Sequence, residues 1–405
     1  MKQLGITLVL LIAVTITSKA QSAEAKLNQK LDSISKQYGL AGFGVSVFTA
    51  DSVLYEKGYG FADLENKKPY TINSVQNIGS ISKTFIGVSL MKAEELGKLA
   101  METPINDILP FKVIHPNHPE VAITVEHLAT HTSGIIDFEK SYDKTYVLEN
   151  PSAVQLDMYD AKMAKEMKHL LGNKSMALDT YLKAYLSKEG ALYSKKNFQK
   201  SRPGEKYTYS NIGAALAAYC IEVVTGKSFP EFTQQYIFDV VGMKNSGWSY
   251  GTITMENHAQ TYSNNLKPLP RYSLVTYPDG GLRTSITDLT KYMQAMIGCY
   301  DGKGEVLKKE SCSKMMKGHL TAEHYASKEL DENYGYFWES NQHKIIGHNG
   351  GDPGIVTLMY YYKDLEMAGI FFTNTNAIGN RKATKQIQAA WKAIRNYQKQ
   401  KATQI

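Results

Sequence analysis

Cysteine is nearly absent from this 405-residue chain, which holds only Cys220, Cys299 and Cys312. Three is an odd number and the spacing matches no metal site, so a disulfide-built scaffold and a thiolate centre are excluded and one bridge at most is allowed. Cys220, in ALAAYCIEVV, reads as a small buried residue on a helix. Clustered positive charge is also missing. The 46 Lys and Arg exceed the 39 Asp and Glu by seven but lie spread along the chain, so no nucleic-acid partner is expected. Residues 1–20 carry Lys2 and Lys19 and no acid, so a chain without them keeps an excess of five, which suits an anionic surface such as a cell wall. Internal repeats and low-complexity linkers are absent. With 43% hydrophobic and 21% charged residues, the chain is a globular one with enough apolar material for one large domain or two moderate ones.

The first segment, MKQLGITLVLLIAVTITSKAQSAEAK, has a positive start at Lys2, an apolar run from Ile6 to Ile16, and small residues at Ser18 and Ala20. That order describes a secretory signal cut after Ala20. The run is shorter than a bilayer span needs, so no stable membrane anchor is expected, and the protein is read as exported, periplasmic or secreted.

From Glu24 onward, Leu27, Leu31, Ile34 and Tyr38 recur at helical spacing, with Gly39 closing the helix. AGFGVSVFTADSVLYEKGYGFADL alternates and reads as two antiparallel strands turning near Asp51. SKTFIGVSLMKAEELGKLA reads as a helix with Phe85, Val88, Met91, Leu96 and Leu99 on one face. Two helices follow, split at Gly226, and another is capped by Ser285 or Thr287. HKIIGHNGG, GIVTLMYYYK and MAGIFFTNT read as three strands, and a basic amphipathic helix over about 382–398 ends the chain. Strands at both ends and helices between them predict an α+β fold: an antiparallel sheet built from N- and C-terminal segments, flanked by helices, with an inserted all-helical region. The α/β part covers about 21–104 and 285–400. The helical part covers about 105–284 and contains a polar, Lys- and Tyr-rich insertion at 137–200, expected as a cap over a cleft.

Ser-x-x-Lys on a helix places an amine beside a hydroxyl, the pairing a serine nucleophile needs. The chain holds it as SISK at Ser33–Lys36 and Ser80–Lys83, and as SCSK at Ser311–Lys314. Ser33 falls on the polar side of the first helix, and Ser311 lies among lysines, where a surface position is expected. Ser80 follows the turn QNIG and leads into apolar TFIGVSLM, so a helix N-terminus would face the serine and burial would lower the Lys83 pKa. Tyr-Ser-Asn also occurs twice. Tyr209 and Asn211 stand where a Pro-Gly turn runs into a helix that Asn211 could cap, whereas Tyr262 and Asn264 lie in a Pro-interrupted loop that reads as surface. GHNGGDPG brings His348, Gly350 and Gly351 to a strand, where glycine lets a ligand approach backbone N–H groups.

In this order, Ser80-x-x-Lys83, Tyr209-x-Asn211 and His348-x-Gly350 resemble the serine β-lactamase-like family of class C β-lactamases, D-Ala-D-Ala carboxypeptidases, and esterase and D-aminopeptidase relatives. ITVEHLATHTSGI, RPGEKYTYSNIG, IFDVVGMKNSGW and DGGLRTSITDL are similar too, and the resemblance runs from about Gly39 to Thr373. It implies that Ser80 is the acylated nucleophile, Lys83 its proton partner, and Tyr209 an activator that passes the proton to the leaving group. It further implies that Asn211 orients the acyl group and that the N–H groups of Ser80 and Gly351 form an oxyanion hole. His348 would stand where β-lactamases carry the lysine of Lys-Thr-Gly, and His131 would be structural. No Lys-Thr-Gly exists in this chain. A histidine near neutral pH is a weaker anchor for a carboxylate, which argues against a dedicated β-lactamase. The expectation is an exported serine hydrolase cleaving an amide or ester, with a D-amino-acid peptide of the cell wall as candidate substrate. A carboxylesterase and a non-catalytic peptidoglycan-binding relative are the alternatives. Such chemistry needs no metal or organic cofactor.

Overall fold

The computed structural model describes residues 22–325, 333–341 and 345–403. The expected leader and its cleavage point lie outside them. One seven-stranded antiparallel sheet dominates: β1 (Gly42–Phe48), β2 (Val53–Asp63), β3 (Lys68–Pro69), β4 (Glu339–Ser340), β5 (Ile345–Asp352), β6 (Ile355–Tyr362) and β7 (Met367–Thr373), in spatial order β3-β2-β1-β7-β6-β5-β4. N- and C-terminal segments therefore meet at the β1–β7 pair, where Phe43 opposes Thr373. The α+β expectation holds.

Both central strands are buried along their whole length because helices cover both faces. Phe43, Val45 and Val47 pack under α1 (Ala23–Ser35) and the C-terminal helix Arg381–Ala402. The other face receives α2 (Ser82–Glu95) and the helix Ile286–Tyr300, where Ser46 accepts a hydrogen bond from Thr290 Oγ1 (2.9 Å). Helix α1 is capped by Ser22, which accepts from the Ala25 N–H, and buries Leu27, Leu31 and Ile34. It ends at Ser35, so Tyr38 lies beyond it and is 64% exposed, against the expected apolar position. Helix α2 is buried on nearly every side from Ser82 to Met91 and ends at Glu95. Leu96 therefore falls outside its apolar face and is exposed.

The intervening region is mostly helical, but the 137–200 segment also contributes Tyr146–Leu148, which pairs with Tyr272–Leu274. Tyr262 is fully buried rather than superficial, and its hydroxyl accepts from the Leu64 N–H (2.7 Å). Cys299 and Cys312 form the one allowed disulfide, joining helix Ile286–Tyr300 to helix Lys309–Met316. Cys220 is buried and unpaired. The third Ser-x-x-Lys lies at the surface as expected, with Lys314 partly exposed and reaching both carboxylate oxygens of Glu94 at 2.9 and 3.0 Å.

Candidate active site

The turn before α2 is built to expose one serine. Gly79 has φ +55°, which favours glycine, and the Asn77 side chain accepts from its N–H (2.8 Å). Ser80 follows within a 3₁₀ turn, Gly79–Ile81, rather than in the first α-helical turn as expected, and it stays partly open to solvent. Leu282 pins both sides of this turn: its carbonyl accepts from the Ile78 N–H (3.0 Å) and its N–H donates to Ser82 Oγ (3.1 Å).

Lys83 sits one helical turn beyond Ser80 with 0% exposure. Its Nζ lies 2.6 Å from Asn211 Oδ1, 2.6 Å from the Asp279 carbonyl and 3.1 Å from Ser80 Oγ. Burial lowers its pKa, while the charges of Asp279, Asp137 and Asp352 pull it back up. The two short contacts go to obligate acceptors, and the longer one goes to a hydroxyl able to donate. Lys83 Nζ donates in all three contacts, and its lowered pKa moves it toward the neutral amine that a proton acceptor for Ser80 must be.

Tyr209 reaches the same point from the other side. Its ring centroid is 5.0 Å from Lys83 Nζ, and burial raises the phenol pKa well above its ordinary value while the bond to Ser80 opposes this. The preceding chain is held by His131, itself at φ +57°, whose carbonyl accepts from the Thr208 N–H (2.8 Å) and whose Nδ1 accepts from the Ser210 N–H (3.1 Å). The His131 ring also lies 4.4 Å from the Tyr209 ring, so this histidine positions the tyrosine. Ser210, not Asn211, caps the helix Asn211–Thr225 by accepting from Gly213 N–H (2.9 Å), leaving the Asn211 side chain free for Lys83. The Asp137 carboxylate also accepts from the Asn211 and Ile212 N–H groups, placing negative charge at a helix N-terminus.

Strand β5 closes the site. A Cβ on Gly350 would stand 2.1 Å from the Ile78 carbonyl oxygen and 2.4 Å from Thr357 Oγ1, so glycine is required for β5 to touch the serine turn. Gly351 faces open space, and its N–H lies on the side of Gly79, next to Ser80. Strand β4 pairs only with Ile346 and Gly347, which leaves this edge of β5 to the serine turn. His348 is buried, and its Nδ1 lies 2.6 Å from the Asn349 carbonyl, which makes Nδ1 the protonated nitrogen. Nε2 then carries a lone pair, and it has no hydrogen-bond partner among the described residues. Burial pushes the His348 pKa down to about 3, aided by the Lys83 charge, so the ring is neutral well below pH 7.

The Beta-lactamase family model matches residues 27–390. The chain belongs to the Beta-lactamase family. As a Beta-lactamase-family member it is 26% identical over 356 residues to penicillin-binding protein 4* of Bacillus subtilis, covering 82% of this chain and 68% of that one. It is 27% identical over 334 residues to the human mitochondrial serine beta-lactamase-like protein LACTB, covering 72% of this chain and 59% of that one. Among solved structures it is similar to the D-amino acid amidase of Ochrobactrum anthropi SV3, with a TM-score of 0.65, 20% identity and coverage of 91% and 98%. It is also similar to a class C beta-lactamase, with a TM-score of 0.64, 18% identity and coverage of 93% and 97%. The family is one of serine hydrolases.

Within this family fold, Ser80, Lys83, Tyr209, Asn211, His348, Gly350 and Gly351 converge on one cleft, while Ser33 lies exposed on α1. Sequence reading missed three acids around them. Asp279 is buried and its carboxyl pKa is raised to about 7 by burial, against the pull of Lys83. Asp352, raised to about 6 by burial, accepts from Tyr146 OH (2.9 Å) and Asn77 Nδ2 (3.1 Å). Asp137 is the third. DGGLRTSITDL contains Asp279 and GHNGGDPG contains Asp352, though neither acid was given a role, and nothing local marked Asp137. Among the described residues, no group of three or more His, Cys, Asp or Glu side chains is arranged to hold a metal ion.

Proposed function

We propose that this protein is a serine hydrolase that cleaves an amide or ester through an acyl-enzyme on Ser80. The observation that carries this reading is the buried Lys83 amine, 3.1 Å from a solvent-reachable Ser80 hydroxyl and held by two acceptors at 2.6 Å. Neutral Lys83 takes the Ser80 proton as Oγ attacks the carbonyl carbon. The N–H groups of Ser80 and Gly351 receive the developing oxyanion. Tyr209, kept a neutral phenol by its raised pKa, relays the Lys83 proton to the leaving amine or alcohol as the scissile bond breaks. Water then enters, gives its proton back along the same path, and releases the acid from Ser80. Asn211 orients the acyl group, and His131 acts only through Tyr209.

The substrate reading rests on charge. Asp137, Asp279, Asp352 and Glu339 lie near the site, so acidic groups outnumber the Lys83 amine there. This supports a neutral or amine-bearing acyl part, such as an amino-acid amide or peptide of the D-series, over a substrate bound by its terminal carboxylate. The same charge pattern favours a carboxylesterase as the second reading. The Cys299–Cys312 pair and the signal-like leader support export to an oxidising compartment, with peptidoglycan peptides within reach.

The test is labelling of the protein with a fluorophosphonate and with a fluorescent penicillin, beside turnover of p-nitrophenyl esters, D-amino-acid amides and D-Ala-D-Ala peptides. Peptide mapping should place the adduct on Ser80, and amides or esters should outrun D-Ala-D-Ala. Wild-type labelling in Ser80→Ala would sink the assignment, and silence toward every probe would favour a binding protein.

A further inference from the structure

The charge that looks dispersed in sequence is concentrated by the fold. The C-terminal helix, here α3 (Arg381–Ala402), holds Arg381, Lys382, Lys385, Lys392, Arg395, Lys399 and Lys401 and no acidic residue. Without these seven, the full sequence keeps 39 basic and 39 acidic residues, so its whole formal excess resides in this one helix. Arg381, Lys385, Lys392 and Lys399 recur at i, i+4, i+11 and i+18 and share one face, a stripe about 27 Å long at 1.5 Å per residue. All four are exposed, and none has a carboxylate within 4 Å among the described residues.

Beside this stripe, α1 and α3 enclose a groove of about 400 Å³. Its floor is apolar, with Leu27, Ala389 and Ala393, and its rim carries Lys26, Lys30 and Lys392. Glu24 is the one acid on this part of α1. The pair covers the face of the sheet opposite α2 and the catalytic cleft.

We propose that the α1–α3 face docks on an anionic lipid bilayer, with the lysine stripe on phosphate headgroups and the apolar-floored groove at their acyl boundary. This is peripheral, salt-sensitive docking and not an anchor, and it leaves the cleft pointing away from the membrane. The charge complementarity is lopsided enough to select the surface: a stripe of unpaired cations without interleaved acids gains from each anionic headgroup it meets.

The test is flotation of the full chain with vesicles of phosphatidylcholine alone and of phosphatidylcholine with one third phosphatidylglycerol, at low and high salt. Residues 1–20, with Lys2 and Lys19, are common to the wild type and the stripe variant, so the difference between those two proteins isolates the stripe. Binding should rise with phosphatidylglycerol and fall with salt, and Arg381→Gln, Lys385→Gln, Lys392→Gln and Lys399→Gln combined should weaken it at least about tenfold. Ester turnover and thermal midpoint should stay at the wild-type level, which separates lost docking from lost folding. Equal binding by the fourfold variant overturns the proposal. So does retention on soluble polyphosphate without retention on vesicles, which would assign the stripe to a wall polyanion instead.

Discussion

Ser33–Lys36 and Ser80–Lys83 are the same four residues in two surroundings. In the first, Ser33 and Lys36 are exposed at the end of α1, beside Ile34, which packs into the core. In the second, the lysine is buried in the first turn of α2 with three oxygen partners, and only the serine is reachable. Spacing alone puts an amine near a hydroxyl. Burial changes what that amine is, since a solvated ammonium is a poor base and a desolvated one gives up its proton. The nucleophile is thus chosen by the walls around the motif: the Gly79 turn, the Asp279 carbonyl and the helix start at Asn211.

The largest test of this contrast exchanges the serines. Ser80→Ala should lower ester turnover at least about a thousandfold, whereas Ser33→Ala should leave kcat/KM within twofold or so. Equal losses at both sites would remove the environmental argument. The lysines come next. Lys83→Met should cost about two to three orders of magnitude in kcat, the scale of a lost general base, with a thermal midpoint within a few degrees of wild type. Lys36→Met should move neither quantity. A Lys83→Met protein that acylates normally would transfer the base role to Tyr209.

Much of this was legible before any coordinates. The strands at both ends, the Gly226 break and the order of the three motifs are local features with clear periods or turn residues, and each lies where the pattern put it. The misreadings share a cause. Tyr262 looked superficial because its loop is polar and broken by proline, yet its hydroxyl and backbone are held by segments some two hundred residues earlier and one hundred later. Asp137, Asp279 and Asp352 come from three distant segments, so no window of sequence contains their shared effect on Lys83. The basic character of the C-terminal helix is legible in sequence, but the face on which Arg381, Lys385, Lys392 and Lys399 align is a property of the folded helix.

Adjacent glycines repeat the comparison of like residues in unlike places. Gly350 presses on the Ile78 carbonyl, and Gly351 opens to solvent. Gly350→Ala should therefore push β5 off the serine turn, costing about 3 kcal/mol of stability by urea melts and most of the acylation rate. Gly351→Ala meets nothing within 4 Å and should cost under about 1 kcal/mol. If the two variants melt alike, the close approach of strand and turn is not what the glycines supply.

The effect at His348 appears only as pH changes. Its folded-state pKa of about 3 lies below the ordinary 6.5, because burial and the Lys83 charge disfavour the imidazolium. A depressed pKa contributes stability that is present above pH 6.5 and is lost as pH falls toward 3, since the unfolded chain binds the proton first. Between pH 7 and pH 5 this removes about 2 kcal/mol from the wild type. His348→Gln, which keeps an acceptor and cannot titrate, should lack that part of the slope, so its urea midpoint should fall less on acidification. The shape of its pH–rate profile above pH 5 should match the wild type, because a ring that is neutral throughout contributes no limb there. A rate limb near pH 6.5 that disappears in His348→Gln would mean the histidine titrates in solution as an exposed one does, and the contrast between buried and solvated copies of one residue would fail at this position.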